Sequence, residues 1–155
     1  MNRIYCAIGK ISELTQNIEL ALGEICEKSE IIKEFGRHVK ISVEDYNQVV
    51  SDANYLKEEM TTMTFGRMIG IVYESKSLSR DEIATLKTLL EKRNYFVHEY
   101  FKYTNFEKAS EELILEEFEA LKEYIAKLKK MLNRIEIIKA GQLERLNYLI
   151  AKAGL

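Results

Sequence analysis

Arg93, Asn94, His98 and Tyr100 stand close together in the segment Arg93-Asn94-Tyr95-Phe96-Val97-His98-Glu99-Tyr100. Each residue type has a chemical use. His98 can exchange a proton near neutral pH. Arg93 carries a permanent charge on a planar fork that matches phosphate oxygens. Asn94 can donate to an oxygen or hold an imidazole in place. Such a set suits phosphodiester cleavage without a metal. A base takes the proton from a ribose 2'-hydroxyl, and the arginine stabilises charge on the phosphorane. Because the nucleophile belongs to the substrate, the substrate this chemistry predicts is RNA. One histidine supplies one proton carrier, so two copies facing each other in a homodimer would supply both acid and base.

These residues must be positioned by a helix. Ser79-Arg80-Asp81-Glu82 is a capping box, and the helix it opens is expected to run through the motif to about Tyr103. On a wheel of about 100° per residue, Ile83, Leu86, Leu89, Leu90, Val97, Tyr100 and Phe101 share one face. Arg93 falls near the middle of that face, and Asn94 and His98, four apart, lie together at its edge. Arginine is almost never fully buried unless paired. Either a carboxylate such as Glu13 or Glu58 meets Arg93 inside the bundle, or the face opens into a cleft where polar groups converge on an apolar surface.

The segment resembles the Arg-x4-His motif of the HEPN superfamily (higher eukaryotes and prokaryotes nucleotide-binding domains). Asn94 fits the polar residue often found after that arginine, and His98-Glu99-Tyr100 matches the Arg-x4-His-x-Tyr variant of toxin subunits paired with minimal nucleotidyltransferase antitoxins. The resemblance implies a helical bundle, a homodimer with both motifs in one cleft, and metal-independent endoribonuclease activity, as a toxin or phage-defence effector. Carried over by position, Arg93 and His98 are catalytic and Asn94 supports them. Tyr100 matches the tyrosine that the nucleotidyltransferase-type antitoxin adenylylates. Neither a metal nor a cofactor is implied. The competing expectation is a non-catalytic HEPN-like module that binds a nucleotide or a protein through the same cleft.

The remaining pattern predicts a single all-α domain over residues 1–155, an up-down bundle of five to six helices. Proline is absent and glycine numbers only seven, so little in the chain breaks a helix. Ile4, Ile8, Ile11, Thr15, Ile18, Leu22 and Ile25 form a stripe that predicts a helix over 3–28, with a further turn around Ile31 and Phe35 ending at Gly36. Ser42-Val43-Glu44-Asp45 reads as a cap for a helix to about Met60, with Val43, Tyr46, Val50, Ala53 and Leu56 inward. Thr64 opens a helix to Glu74, in which Gly66 and Gly70 suggest close helix packing. Asn105 or Ser110 restarts the chain. Ile114, Phe118, Leu121, Ile125, Leu128, Leu132 and Ile135 then line a long helix that Gly141 is expected to end, before a last helix over 142–153.

Net charge of -2 argues against a general binder of nucleic acid or anionic membranes, while leaving room for a local basic cleft. Cys6 and Cys26 lack metal-ligand spacing with each other or with His38 and His98, and read as buried reduced thiols. No apolar run approaches the ~20 residues of a membrane span, and the start of the chain lacks a signal-peptide core. These features predict a cytoplasmic protein. His38 and the run Lys127, Lys129 and Lys130 are assigned no role beyond a solvated surface.

Overall fold

The structure, a computed structural model, describes residues 1–155. It is helical throughout: α1 (Asn2–Arg37), α2 (Val43–Met60), α3 (Phe65–Glu74), α4 (Arg80–Asn94), a π-helical turn (Tyr95–Glu99), α5 (Tyr100–Tyr103) and α6 (Glu111–Ala153). From α4 to α5 the backbone stays helical, so the chain folds as five rods.

The two longest rods, α1 and α6, form a spine. Arg3 lies over the Phe118 ring, Lys139 pairs with Glu24, and Ile31 packs in one cluster with Leu146, so α1 and α6 run parallel. The other rods alternate in direction along this spine. α2 descends antiparallel to the C-terminal half of α1, with Phe35 against Tyr46 and Glu27 paired to Lys57. The short α3 turns back, and Ser29 donates to the Ser75 carbonyl at its end. The α4–α5 rod then descends over the N-terminal half of α1, fixed by Arg93–Glu19 at one level and Tyr5 stacked on Phe101 at another. The result is an up-and-down bundle in which α2 covers one half of the spine and α4–α5 the other.

The caps explain where rods begin. The Ser42 side chain accepts from the Asp45 backbone N–H, Ser110 accepts from that of Leu113, and Ser79 and Glu82 form the full capping box. Thr64 precedes α3 without a side-chain cap bond.

Two expected breaks are absent. α1 runs through residue 28 to Arg37 without interruption, because Ile31, Ile32 and Phe35 find partners in Ala53, Tyr46, Val49 and Val50. α6 likewise runs through Gly141. A glycine inside a helix costs only about 1 kcal/mol against alanine, and packing on both sides offsets it: Ile135 and Ile138 before it, Leu146 and Ile150 after it. The helix ends instead at Gly154, whose φ of 74° supplies the left-handed cap.

Close packing at a glycine occurs at Gly23, not at Gly66 or Gly70. A Cβ on Gly23 would meet Lys57 Cγ at 3.3 Å, whereas Gly66 and Gly70 face open space. Val43 is exposed rather than inward, because it sits at the first position of α2, beyond the reach of α1. Cys26 is buried, but Cys6 is exposed on the outer side of α1.

Candidate functional site

Leu86, Leu89 and Leu90 of α4 are buried against the spine, and Arg93 follows on the same face. Its side chain is half-buried. Nη1 reaches Glu19 Oε1 of α1 at 3.3 Å, and Nε is shut away from solvent without a hydrogen-bond partner. Thus Arg93 has a carboxylate partner inside the bundle, and the cleft it lines is not the expected one, since Asn94 and His98 take no part in it. The partner is Glu19, not Glu13 or Glu58, because Glu19 shares its level on α1. Behind Arg93, the Tyr124 hydroxyl of α6 donates to the Leu89 carbonyl. Burial pushes the Tyr124 hydroxyl pKa up to about 12, with the Arg93 charge pulling the other way.

The π turn begins two residues beyond Arg93. The Tyr100 N–H bonds the Tyr95 carbonyl, five residues back instead of four. This widening changes which side chains face inward. Phe96 packs against the Tyr124 ring at 4.9 Å between centroids and against Tyr100 at 5.5 Å. Val97 and Phe101, expected on the core face, are 38% and 41% exposed. The helical wheel misplaced them because it assumed an uninterrupted α-helical period.

His98 and Asn94 are exposed. A turn that closes over five residues brings positions five apart nearer to a shared face, and Arg93 and His98 are five apart. Tyr5 of α1 stacks on Phe101 of the motif rod, and both, like Val97, remain exposed.

Tyr100 is only 2% exposed. Its hydroxyl donates to Glu117 Oε2 at 2.8 Å, and burial first, then Glu117, raise its pKa above the ordinary tyrosine value. It sits in an aromatic cluster with Tyr95, Phe96, Phe101 and Phe106.

The cleft beside Arg93 has a volume of about 590 Å³ and lies against α1 where α2 gives way to α3, with Arg93 near the end of α4 closing one side. Gln16, Glu19 and Leu20 of α1 form one wall, and Met60, Met63, Phe65 and Met68 form another. Asn94, His98 and Tyr100 are not part of it. Sequence reasoning missed this cleft. Its one legible signal was the concentration of methionine in Met60-Thr61-Thr62-Met63-Thr64-Phe65-Gly66-Arg67-Met68. No group of three or more His, Cys, Asp or Glu side chains is arranged to hold a metal ion, and no helix is long and apolar enough to cross a membrane.

No family model, no curated protein and no solved structure matches this chain.

Proposed function

We propose that this chain is a metal-independent endoribonuclease of HEPN type that acts as a homodimer. The neutral His98 imidazole takes the 2'-hydroxyl proton as the 2'-oxygen attacks phosphorus. The bond to the 5'-oxygen breaks, and the protonated histidine of the second copy returns a proton to that oxygen. Arg93 stabilises the charge on the phosphorane, and Asn94 supports it. A cyclic 2',3'-phosphate and a 5'-hydroxyl result. Such an enzyme fits a cytoplasmic toxin or phage-defence effector, with RNA as substrate and a nucleotidyltransferase-type antitoxin as its candidate partner.

The observation that carries this reading is the π turn between Arg93 and His98, since π turns inside helices occur frequently at functional sites. The exposed Tyr5–Phe101 stack and the exposed Val97 supply apolar surface that a second copy would cover. Adenylylation of Tyr100 would require the Tyr100–Glu117 hydrogen bond to open first. The Arg93–Glu19 pair favours a second reading, a non-catalytic binding module, because Glu19 neutralises the arginine charge that a phosphate would use.

The test is cleavage of labelled total RNA and tRNA in EDTA by the purified chain, beside His98→Ala and Arg93→Ala variants of matched circular dichroism and oligomeric state. Cleavage by the native chain that leaves cyclic phosphate ends, reduced about 10²-fold or more in both variants, is the expected outcome. No cleavage by any of the three selects the binding module, and equal cleavage by all three exposes a contaminating nuclease.

A further inference from the structure

The cleft at the middle of the spine has an uneven chemistry. Its apolar wall is soft: three of the chain's five methionines, Met60, Met63 and Met68, line it together with Phe65 and Leu20. Methionine is unbranched and polarisable, packs favourably on aromatic rings, and adapts to irregular shapes. The cavity volume falls within the range of roughly 300–1,000 Å³ that small molecules use.

The charged wall is one-sided in what it offers a newcomer. Both cations that line the cleft already have carboxylate partners, Lys57 on Glu27 at 2.8 Å and Arg93 on Glu19 at 3.3 Å. Lys139 holds Glu24 at 2.9 Å. The carboxylate that forms no ion pair is Glu58, on the exposed face of α2 at the rim, with only a through-space attraction to its neighbour Lys57. Glu19 is bonded through one oxygen only, and Gln16 beside it makes no side-chain hydrogen bond in the fold. Gln16 can donate or accept, and the unpartnered Arg93 Nε is closed to solvent, so among the charged side chains the open groups are the carboxylates of Glu58 and, through one oxygen, Glu19.

We propose that this cleft is a binding site for a small organic cation with an aromatic or apolar body. The body packs between Leu20, Met63 and Phe65, and the cationic head faces Glu58 and the free oxygen of Glu19. An anion meets no unpaired cation there, and a neutral molecule leaves the Glu58 carboxylate unanswered. The site is argued from the cleft, which shares Arg93 and its partner Glu19 with the proposed ribonuclease, and its test reads binding rather than RNA cleavage.

The probe is 4-aminobenzamidine, followed by its fluorescence on titration of the full chain. The neutral isostere 4-aminobenzamide and the anion 4-aminobenzoate serve as comparators. Saturable binding by the amidine, about tenfold tighter than the amide, with no binding of the benzoate, is expected from a charge-assisted contact. Glu58→Lys reverses an exposed charge with a good helix former, and should weaken amidine binding about tenfold with circular dichroism unchanged. Met63→Ala should weaken all binding by removing part of the apolar wall. The proposal is overturned if the amide or benzoate binds as tightly as the amidine, or if Glu58→Lys leaves amidine affinity unchanged. Absence of saturable amidine binding below about 10 mM would overturn it too.

Discussion

The first part of the motif rod, α4, and the turn that follows it obey different rules. In α4 the capping box, the buried Leu86, Leu89 and Leu90, and the position of Arg93 all follow the 3.6-residue period. In the π turn the period fails: Phe96 goes inward and Val97 outward, and His98 lies exposed. The difference lies in the surroundings. α4 sends Leu86, Leu89 and Leu90 into the main apolar core, where a regular stripe fits. Residues 95–100 meet the large rings of Tyr124 and Phe106, and Phe96 fills the space between Tyr124 and Tyr100 better than Val97 could. An extra residue in the turn is the backbone's way of delivering that ring.

The contrast is sharpest in a pair of alanine variants. Leu90→Ala in α4 removes a fully buried side chain and should cost about 2–5 kcal/mol in chemical denaturation. Val97→Ala, which a regular helix would make comparable, should cost less than about 0.5 kcal/mol, the usual range for surface changes. Similar losses for the two variants would mean that Val97 is in the core and the turn is α-helical.

Deleting Val97 tests the turn itself. Without it, Phe96 and Tyr100 become three apart, still compatible with one face of a regular helix, so stability should change by no more than about 1 kcal/mol. The spacing of Arg93 and His98 falls to four, and RNA cleavage should drop about 10²-fold, because small misplacements of catalytic groups carry penalties of that order. Full activity in the deletion variant would show that the π turn has no part in aligning the pair. Ser79→Ala, at the far end of the same rod, should cost about 1 kcal/mol through loss of the cap and leave the motif geometry untouched.

The legible and illegible parts of the molecule divide along this line. Helix starts were readable at Ser42 and Ser79, and narrowed to Asn105 or Ser110 for α6, because a cap is a local device, made by side chains within three residues of the backbone they satisfy. Helix ends were less so. Gly36 and Gly141 look like stops in isolation, but only Gly36 lies near one, and Gly141 is overridden by α1 packed alongside. The stripes were readable to Ile25 in α1 and to Ile135 in α6, and the continuation of each helix beyond them was not. At the candidate site, Arg93 on the inward face was readable and its partner Glu19 was not, since pairing across rods depends on their relative height. The π turn carries no residue type that announces it. The cause lies in Tyr124, far along the chain.

Tyr124 joins the two halves, with its hydroxyl on the Leu89 carbonyl of α4 and its ring against Phe96 of the π turn. Removing the hydroxyl in Tyr124→Phe should cost about 0.5–1.5 kcal/mol at neutral pH, the net worth of one hydrogen bond. Its pH signature is more telling. The hydroxyl titrates near 10 when unfolded and is pushed up to about 12 in the fold by burial. A folded-state value above the unfolded one stabilises the fold fully below pH 10, and that contribution is lost as pH rises towards 12. The buried Cys26 thiol, moved from 9.0 to about 12 chiefly by burial, acts in the same direction from pH 9 upward. Denaturation at pH 8 and pH 11 should therefore show the native chain losing stability with alkali, and Tyr124→Phe losing less. An identical alkaline loss in both would mean that the Tyr124 hydroxyl is open to solvent, and that the two halves of the rod are not tied together at Leu89.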